Sequence, residues 1–132
     1  MSKTSVTGIF NSISEKKSLA LFNSIAIQRK DSKDLKTELQ LTPKQYYSRM
    51  YVLMKAGLVK RERGKYCLTC LGKVTYNSYT SIQYAVDNYW KLKAIDSFEM
   101  SSDHISKDER VNMINALIGN DDKIKTILFD IS

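Results

Sequence analysis

Apolar residues in the middle of the chain recur with the period of an α-helix. Tyr46, Met50 and Leu53 stand at positions i, i+4 and i+7, so they share one helical face that we expect to point into a core. On the same spacing, Val52 and Met54 are expected to be partly covered. The segment is therefore predicted to be an amphipathic helix with an apolar side and a polar side.

The residues at the two ends of this segment predict where the helix begins and ends. Thr42 precedes Pro43, and Gln45 is placed to close a capping box with the Thr42 side chain. Gly57 can adopt the left-handed backbone conformation that closes a helix. A helix is therefore predicted over about residues 43–57.

Shorter patterns predict the elements on either side of this helix. Residues 58–62 and 65–68 are two short runs joined by Arg63 and Gly64, which predicts an antiparallel hairpin. Arginine is unusual at such a turn, so we expect a loose tip. The other predicted helices run from Ser14 as N-cap to about Gln28, from Asp31 or Ser32 as N-cap, from Thr69 through Trp90, from Ser106 to Gly119, and from Asp121 and Asp122 onward.

Together these elements predict a mainly α fold with a small β-hairpin, in the α+β class. A capped helix that leads directly into a basic hairpin is typical of a winged helix-turn-helix domain. We expect a mobile N-terminal arm over residues 1–13, a winged-helix core over 14–75, and a C-terminal helical extension over 76–132 that packs on the core.

Positive charge is concentrated in the first half of the chain. Residues 1–70 contain 14 lysines and arginines and five acidic residues, whereas residues 71–132 contain seven and nine. A basic half of this kind is expected to meet a polyanion. No stretch approaches the roughly 18 apolar residues needed to cross a bilayer, and the first residues lack the apolar block of a secretory signal. We therefore expect a cytoplasmic, nucleoid-associated protein.

The polar side of the predicted helix carries side chains that can read DNA bases. Its N-terminal half would enter the major groove, where hydrogen bonds to base edges give sequence preference. The candidate base contacts are Lys44, Gln45, Ser48 and Arg49. The hairpin over residues 58–68 and the helix N-termini would contact the DNA backbone or the minor groove. These backbone candidates are Ser32, Lys33, Thr42, Tyr47, Lys60, Arg61, Arg63 and Lys65.

The helix predicted after the hairpin carries more aromatic residues than a small domain needs to cover itself. A surplus of this kind favours a surface that binds a second copy of the chain. The candidate residues of this homodimer interface are Tyr79, Ile82, Val86, Tyr89 and Trp90.

The residues that usually carry catalysis or bind metals are few. Cys67 and Cys70 form one CxxC pair, and no second Cys or His pair stands at a spacing that would complete a zinc site. Ordinary packing is the favoured interpretation of the two thiols, with a redox role left open. The single histidine, His104, stands in a polar stretch, and the chain has no glycine-rich phosphate loop. We expect no enzyme activity, no metal and no cofactor.

The segment over residues 42–74 resembles the winged-helix core of archaeal transcriptional regulators of the broad ArsR-like and MarR-like superfamily. In those proteins a recognition helix ends in an AGLV-like turn, enters a two-stranded wing, and returns through a helix that contains LT-x-x-G. The corresponding stretches here are residues 56–59, the hairpin around Gly64, and residues 68–72. In architecture the resemblance covers roughly residues 15–90.

This resemblance implies binding of double-stranded DNA, usually as a dimer. It does not imply metal sensing, because the metal-sensing members use clusters of Cys and His that this chain lacks. The family's DNA-facing positions correspond to the wing cations and to Thr42, Lys44, Gln45, Ser48 and Arg49.

Two other functions fit the same pattern. One is a winged-helix interaction module whose cations dock an acidic protein partner. The other is an architectural protein that binds every DNA duplex alike. The sequence leaves open the operator, the choice between activation and repression, and any small effector ligand.

Overall fold

The computed structural model of the protein describes residues 4–27, 32–101 and 106–130. These residues are mainly helical with one two-stranded antiparallel sheet, which confirms the predicted fold class. No helix in the described part of the chain is both long enough and apolar enough to cross a bilayer. In chain order the elements are α1 (Val6–Ile13), α2 (Lys16–Ile27), α3 (Ser32–Leu39), α4 (Pro43–Lys55), β1 (Val59–Glu62), β2 (Lys65–Leu68), α5 (Cys70–Asp87), α6 (Tyr89–Ser101), α7 (Lys107–Ile118) and α8 (Asp122–Asp130).

The chain divides into two compact units, Met1–Ser78 and Tyr79–Ser132. The boundary lies within α5, close to the boundary predicted after residue 75. The first unit contains α1 to α4, the hairpin and the first half of α5, and it holds all the residues proposed for DNA binding.

Helix α4 begins and ends where its flanking residues predict. The Thr42 hydroxyl accepts a hydrogen bond from the Gln45 backbone N at 3.1 Å, and the Gln45 side-chain oxygen accepts one from the Thr42 backbone N at 3.1 Å. Both halves of the capping box are therefore present, with Pro43 at the first helical position. The chain leaves the helix through Gly57, whose φ is +88°.

The apolar side of α4 forms the centre of the first unit's core. Tyr46, Met50 and Leu53 are all buried, which confirms their predicted inward face. Burial of Met50 and of Leu53 contributes about 1.5–3 kcal/mol each. The three side chains pack with buried residues of α2, of α3, of the turns before α4 and before the hairpin, and of the hairpin itself, which are Leu21, Phe22, Ile25, Leu35, Leu41, Leu58, Val59 and Tyr66.

The hairpin has a tight tip. Glu62 pairs with Lys65, so only Arg63 and Gly64 lie in the turn, and both have positive φ, +53° and +80°. Two positive φ angles are those of a type I′ turn, whose twist matches the flanking strands. The expectation of a loose tip is therefore wrong, because Arg63 accepts the left-handed conformation.

The N-terminal residues form a helix instead of the predicted mobile arm. The Ser5 hydroxyl accepts a hydrogen bond from the Gly8 backbone N at 3.0 Å and so caps α1. Ile9 and Ile13 are partly buried against the core of the first unit. The prediction for residues 1–13 is wrong over α1, since helical spacing of apolar side chains outweighs the polar composition. Residues 1–3 lie outside the described residues.

Helices α2 and α3 begin slightly differently from their predictions. The Glu15 carboxylate accepts a hydrogen bond from the Ser18 backbone N at 2.9 Å, so Glu15 supplies the cap expected from Ser14. Ser32 is the first residue of α3 and therefore does not cap it from outside. The alternative cap Asp31, and the predicted helix end at Gln28, lie outside the described residues.

The single helix predicted from Thr69 through Trp90 is wrong, because Asn88 separates α5 from α6. Both the backbone N and the side-chain Nδ2 of Asn88 donate to the Tyr84 carbonyl at 2.9 Å. The backbone bond is the regular helical one, whereas the side-chain bond competes for the same carbonyl, and side-chain bonds of this kind disturb regular helix. The predicted start of α5 at Thr69 is confirmed, since its hydroxyl accepts from the Gly72 backbone N at 2.9 Å.

The second unit has its own small core of Ile95, Ile114, Ile118 and Ile124. The Tyr84 hydroxyl donates to the Ile118 carbonyl at 3.0 Å and ties α5 to α7. Its later helices start and stop as predicted. The Ser106 hydroxyl caps α7, Gly119 ends α7 with φ of +68°, and the Asp121 carboxylate accepts from the Ile124 backbone N at 3.0 Å.

Replacing Gly72 with Ala is expected to lower the free energy of unfolding by about 1–3 kcal/mol. Gly72 is buried, and an added methyl group would overlap the Leu58 carbonyl oxygen. In a helix with open space around the glycine, Gly→Ala raises the free energy of unfolding. A decrease therefore indicates that Gly72 is closely packed. Urea unfolding followed by circular dichroism measures it, with Ser78→Ala on the exposed side of α5 as control. A Gly72→Ala protein as stable as the control would contradict this close packing.

Candidate nucleic-acid interface

The outward side of α4 carries two of the four predicted base-contacting residues in exposed positions. Lys44 and Ser48 are one helical turn apart and exposed, on the side of the helix opposite Tyr46 and Met50. Both lie in the N-terminal half of α4, the part of such a helix that reaches base edges. These two side chains can therefore present hydrogen-bonding groups to a ligand along the helix.

Gln45 is differently placed from the prediction. Its side chain is half-buried, and its Oε1 atom is engaged with the Thr42 backbone N. A glutamine that reads adenine must offer both its oxygen and its NH₂ group. With the capping box closed, the Gln45 oxygen already accepts one hydrogen bond within the helix, so Gln45 is less free than the predicted outward-facing side chain.

Arg49 is turned toward α2. Only 26% of its side chain is exposed, and its Nε lies 2.8 Å from Glu15 Oε2 as an ion pair without hydrogen-bond alignment. The prediction that Arg49 faces outward is therefore wrong. The competing interaction comes from Glu15, which is 34 residues away in sequence and which also caps α2.

Glu15 is held as a carboxylate by its neighbours. The hydrogen bond from the Ser18 backbone N is the main cause that lowers the pKa of Glu15 below its ordinary value, and the positive charge of Arg49 adds to it. The carboxylate therefore stabilises the start of α2 and fixes Arg49 at the same time.

The hairpin presents the four predicted wing cations, Lys60, Arg61, Arg63 and Lys65, in exposed positions. Lys60 Nζ lies 3.4 Å from Glu62 Oε2, so part of its charge is neutralised within the hairpin. The Arg61 guanidinium stacks over the ring of Tyr66, its partner across the strands, at 5.9 Å from the centroid.

Four more predicted backbone contacts surround the start of α3 and α4. Thr42 and Lys33 are exposed. The Thr42 hydroxyl is already engaged in the capping box. Ser32 is half-buried, and its hydroxyl accepts a hydrogen bond from the Tyr46 hydroxyl at 2.9 Å. Tyr47 is 56% exposed and packs edge-on against the ring of Tyr46, with centroids 5.2 Å apart.

Lys36 belongs to this surface and was not predicted. Its Nζ lies 5.3 Å from the ring centroid of Tyr47 and 5.4 Å from that of Tyr46. Lysine at the polar side of a short helix has no local sequence signal that distinguishes it from other exposed lysines. Only the packing of α3 beside α4 shows that its ammonium group lies next to two aromatic rings.

The predicted dimer residues lie on the second unit. Ile82, Val86, Tyr89 and Trp90 are exposed, and Trp90 is the most exposed of them at 75%. Tyr79 is half-buried, and its hydroxyl donates to the Gln83 side chain at 3.2 Å. A shallow apolar depression is lined by Ile82, Ala85, Val86, Tyr89 and Leu92.

The two cysteines have different surroundings. Cys67 is buried on β2, and its thiol donates to Glu62 Oε2 at 3.8 Å, whereas Cys70 is exposed at the first turn of α5. Within the described residues there is no cluster of three or more His, Cys, Asp and Glu side chains that could hold a metal ion. His104 lies outside those residues.

Comparison with known proteins gives no family for this chain. A scan against protein-family models and searches of curated proteins and of solved structures found no significant match.

Replacing Glu15 with Gln is expected to make the stability of the protein less sensitive to acid. Folding lowers the pKa of Glu15, so the ionised carboxylate stabilises the folded state. This stabilisation is complete above about pH 4.5, and it is lost as the pH falls through the lower pKa of the folded state. Urea unfolding of both proteins at a series of pH values between 6 and 3 measures the difference.

The wild type should lose more stability over that range than Glu15→Gln. Asp96→Asn, at an exposed position on α6, is the control for removal of a carboxylate. Its stability should fall with pH as much as that of the wild type. If the Glu15→Gln and wild-type curves run parallel, the Glu15 contacts do not stabilise the fold.

Proposed function

We propose that the chain is a sequence-specific transcriptional regulator that binds double-stranded DNA through a winged helix-turn-helix arrangement in its first unit. The observation that supports this most is the placement of exposed polar groups. Lys44 and Ser48 lie on the outward side of a capped helix, and a tight hairpin with four exposed cations follows that helix directly. The sequence resemblance to archaeal regulators points the same way.

In this proposal α4 lies in the major groove, which is wide enough for one helix. Lys44 can reach O6 and N7 of guanine, and the Ser48 hydroxyl can donate or accept. Gln45 and Arg49 act mainly by fixing the helix, since Thr42 and Glu15 hold their polar atoms. Base reading therefore depends on fewer side chains than the sequence indicates.

The hairpin contributes affinity without sequence preference. Its cations would lie along the phosphates or enter the minor groove beside α4. Arg63 occupies the turn itself and Lys65 begins the returning strand, so both can reach DNA without disturbing the core. Thr42, Ser32 and Lys33 would add contacts near the helix N-termini.

Duplex selection from a randomised library, followed by binding at several salt concentrations, tests the proposal. Lys44→Ala should change the preferred base at one position at a cost of about 1–3 kcal/mol. The double variant Arg63→Gln with Lys65→Gln should weaken every sequence alike and lower the salt slope by about two. The double variant Lys91→Gln with Lys107→Gln, exposed on α6 and α7, is the matched loss of two charges and should leave binding unchanged. Affinity that is independent of salt would reject DNA as the ligand.

We further propose that the regulator acts as a homodimer through the second unit. Ile82 and Val86 are one helical turn apart on α5, and Tyr89 at the start of α6 lines the same shallow apolar depression; all three are exposed, and Tyr79 lies nearly one turn before Ile82. An exposed apolar strip of this kind can form the seam between two copies. Two copies would place their α4 helices in successive major grooves, about one helical turn of DNA apart.

Val86→Glu is expected to separate the dimer, because a charge in the centre of an apolar seam would be buried without a partner. Light scattering at tens of micromolar protein should show the mass of two chains for the wild type and of one for the variant. Thr80→Glu adds the same charge at an exposed position off the seam and should remain dimeric. A wild type that scatters as a monomer at this concentration would remove this part of the proposal.

A protein-interaction module is the second candidate, and one observation favours it. Tyr51, Val52 and Met54 on α4 are 63%, 40% and 42% exposed, and exposed apolar groups of this kind can anchor a protein partner. The library experiment separates the candidates. Binding to poly-glutamate without binding to duplex DNA would favour an acidic protein partner. Equal affinity for every duplex would instead indicate an architectural DNA binder.

A further inference from the structure

Two cations of the first unit are held against aromatic rings on one continuous row of side chains. Lys36 of α3 lies over Tyr47 and Tyr46 of α4. The Tyr46 ring packs edge-on against Tyr66 of β2 at 6.3 Å between centroids, and Arg61 of β1 stacks over Tyr66. This cation–aromatic row, defined as Lys36, Tyr47, Tyr46, Tyr66 and Arg61, therefore runs from α3 across α4 to the hairpin.

The row has a cation at each end and buried rings at its centre. Tyr46 and Tyr66 are buried, whereas Arg61 is exposed and Lys36 is half-buried. A long side chain that packs on a ring loses rotamer freedom before any ligand arrives, so less entropy is lost on binding. An ammonium group has three N–H donors, so contact with the rings is compatible with a bond to an anion.

We infer that Lys36 contacts a backbone phosphate of the DNA and that Tyr47 acts as the positioning residue that holds it. The inference rests on the proposed DNA-binding function and adds a contact that the sequence did not indicate. Charge complementarity supports this contact, because the row holds two cations, Lys36 and Arg61, one on each side of α4. A phosphate strand beside a helix in the major groove presents the matching negative charge.

The role assigned to Tyr47 differs from a direct contact. As a direct contact, its hydroxyl would donate to a phosphate, and loss of that hydroxyl would weaken binding. As a positioning residue, Tyr47 acts through its ring, which lies 5.3 Å from Lys36 Nζ. Phenylalanine keeps the ring and removes the hydroxyl, whereas leucine removes both, so the two substitutions separate these roles.

The experiment measures binding of the full chain to a selected duplex between 50 and 200 mM salt. Lys36→Met keeps the length of the side chain and removes its charge. If one phosphate contact is lost, the salt slope should fall by about 0.9, so the loss of affinity should be about threefold larger at 50 mM than at 200 mM salt. Lys107→Met is the control, because Lys107 is an exposed lysine of α7 in the second unit and belongs neither to the proposed DNA surface nor to the proposed dimer interface.

Tyr47→Phe should bind as the wild type does, and Tyr47→Leu should lose affinity. When Lys36→Met is already present, adding Tyr47→Leu should lower the affinity no further, because Tyr47 affects binding only by positioning Lys36. Thermal unfolding of each variant confirms that the fold is intact, as expected at an exposed ring and a lysine.

Three results would overturn the inference in distinguishable ways. If Lys36→Met has the same salt slope as Lys107→Met and the wild type, Lys36 contacts no phosphate. If Tyr47→Phe is as weak as Tyr47→Leu, the hydroxyl is the functional group and Tyr47 is a direct contact. If the wild type itself shows no salt-dependent binding to duplex DNA, the proposed function fails and this inference fails with it.

Discussion

A tyrosine hydroxyl can be buried without a large loss of free energy only when it has a hydrogen-bond partner. Tyr46 is completely buried in the first unit, and its hydroxyl donates to Ser32 at the first residue of α3. Its ring also contacts Tyr66 on the hairpin. One side chain thus sets the position of α4 against both α3 and the hairpin. Burial raises the pKa of Tyr46 to about 12, so the hydroxyl remains a donor throughout the physiological pH range.

The parts of the fold that could be predicted from the sequence are those determined by near neighbours. The capping box at Thr42 and Gln45 involves residues three apart, and the inward face of α4 follows from helical spacing alone. The hairpin follows from Gly64 and the short runs around it, and the starts of α7 and α8 follow from Ser106 and Asp121. In each case the side chain and the backbone group that it satisfies lie within one turn.

The predictions that failed concern side chains with distant or competing partners. Arg49 is predicted to face outward, yet it lies beside the buried face of α4, where the Glu15 carboxylate at the start of α2 pairs with it. Gln45 is predicted both to close the capping box and to read a base, and the capping box engages the oxygen that base reading would use. Lys36 gained its position from two rings on a neighbouring helix, which no local pattern could indicate. The candidate surface was thus predictable as a region, whereas the state of each polar group on it was not.

In the proposed complex with DNA, the internal contacts of Gln45 and Arg49 leave Lys44 and Ser48 as the main base readers. A good pair of hydrogen bonds to a base discriminates by about 1–3 kcal/mol, so Lys44 and Ser48 alone would separate an operator only weakly from the many other sites in a genome. A second copy of the chain would double the number of side chains that contact bases and would hold the two sets at a fixed spacing along the DNA. In the proposed complex, specificity therefore depends on the exposed seam of the second unit as much as on α4. The cations of the hairpin and Lys36 would supply the affinity that holds both copies on the DNA.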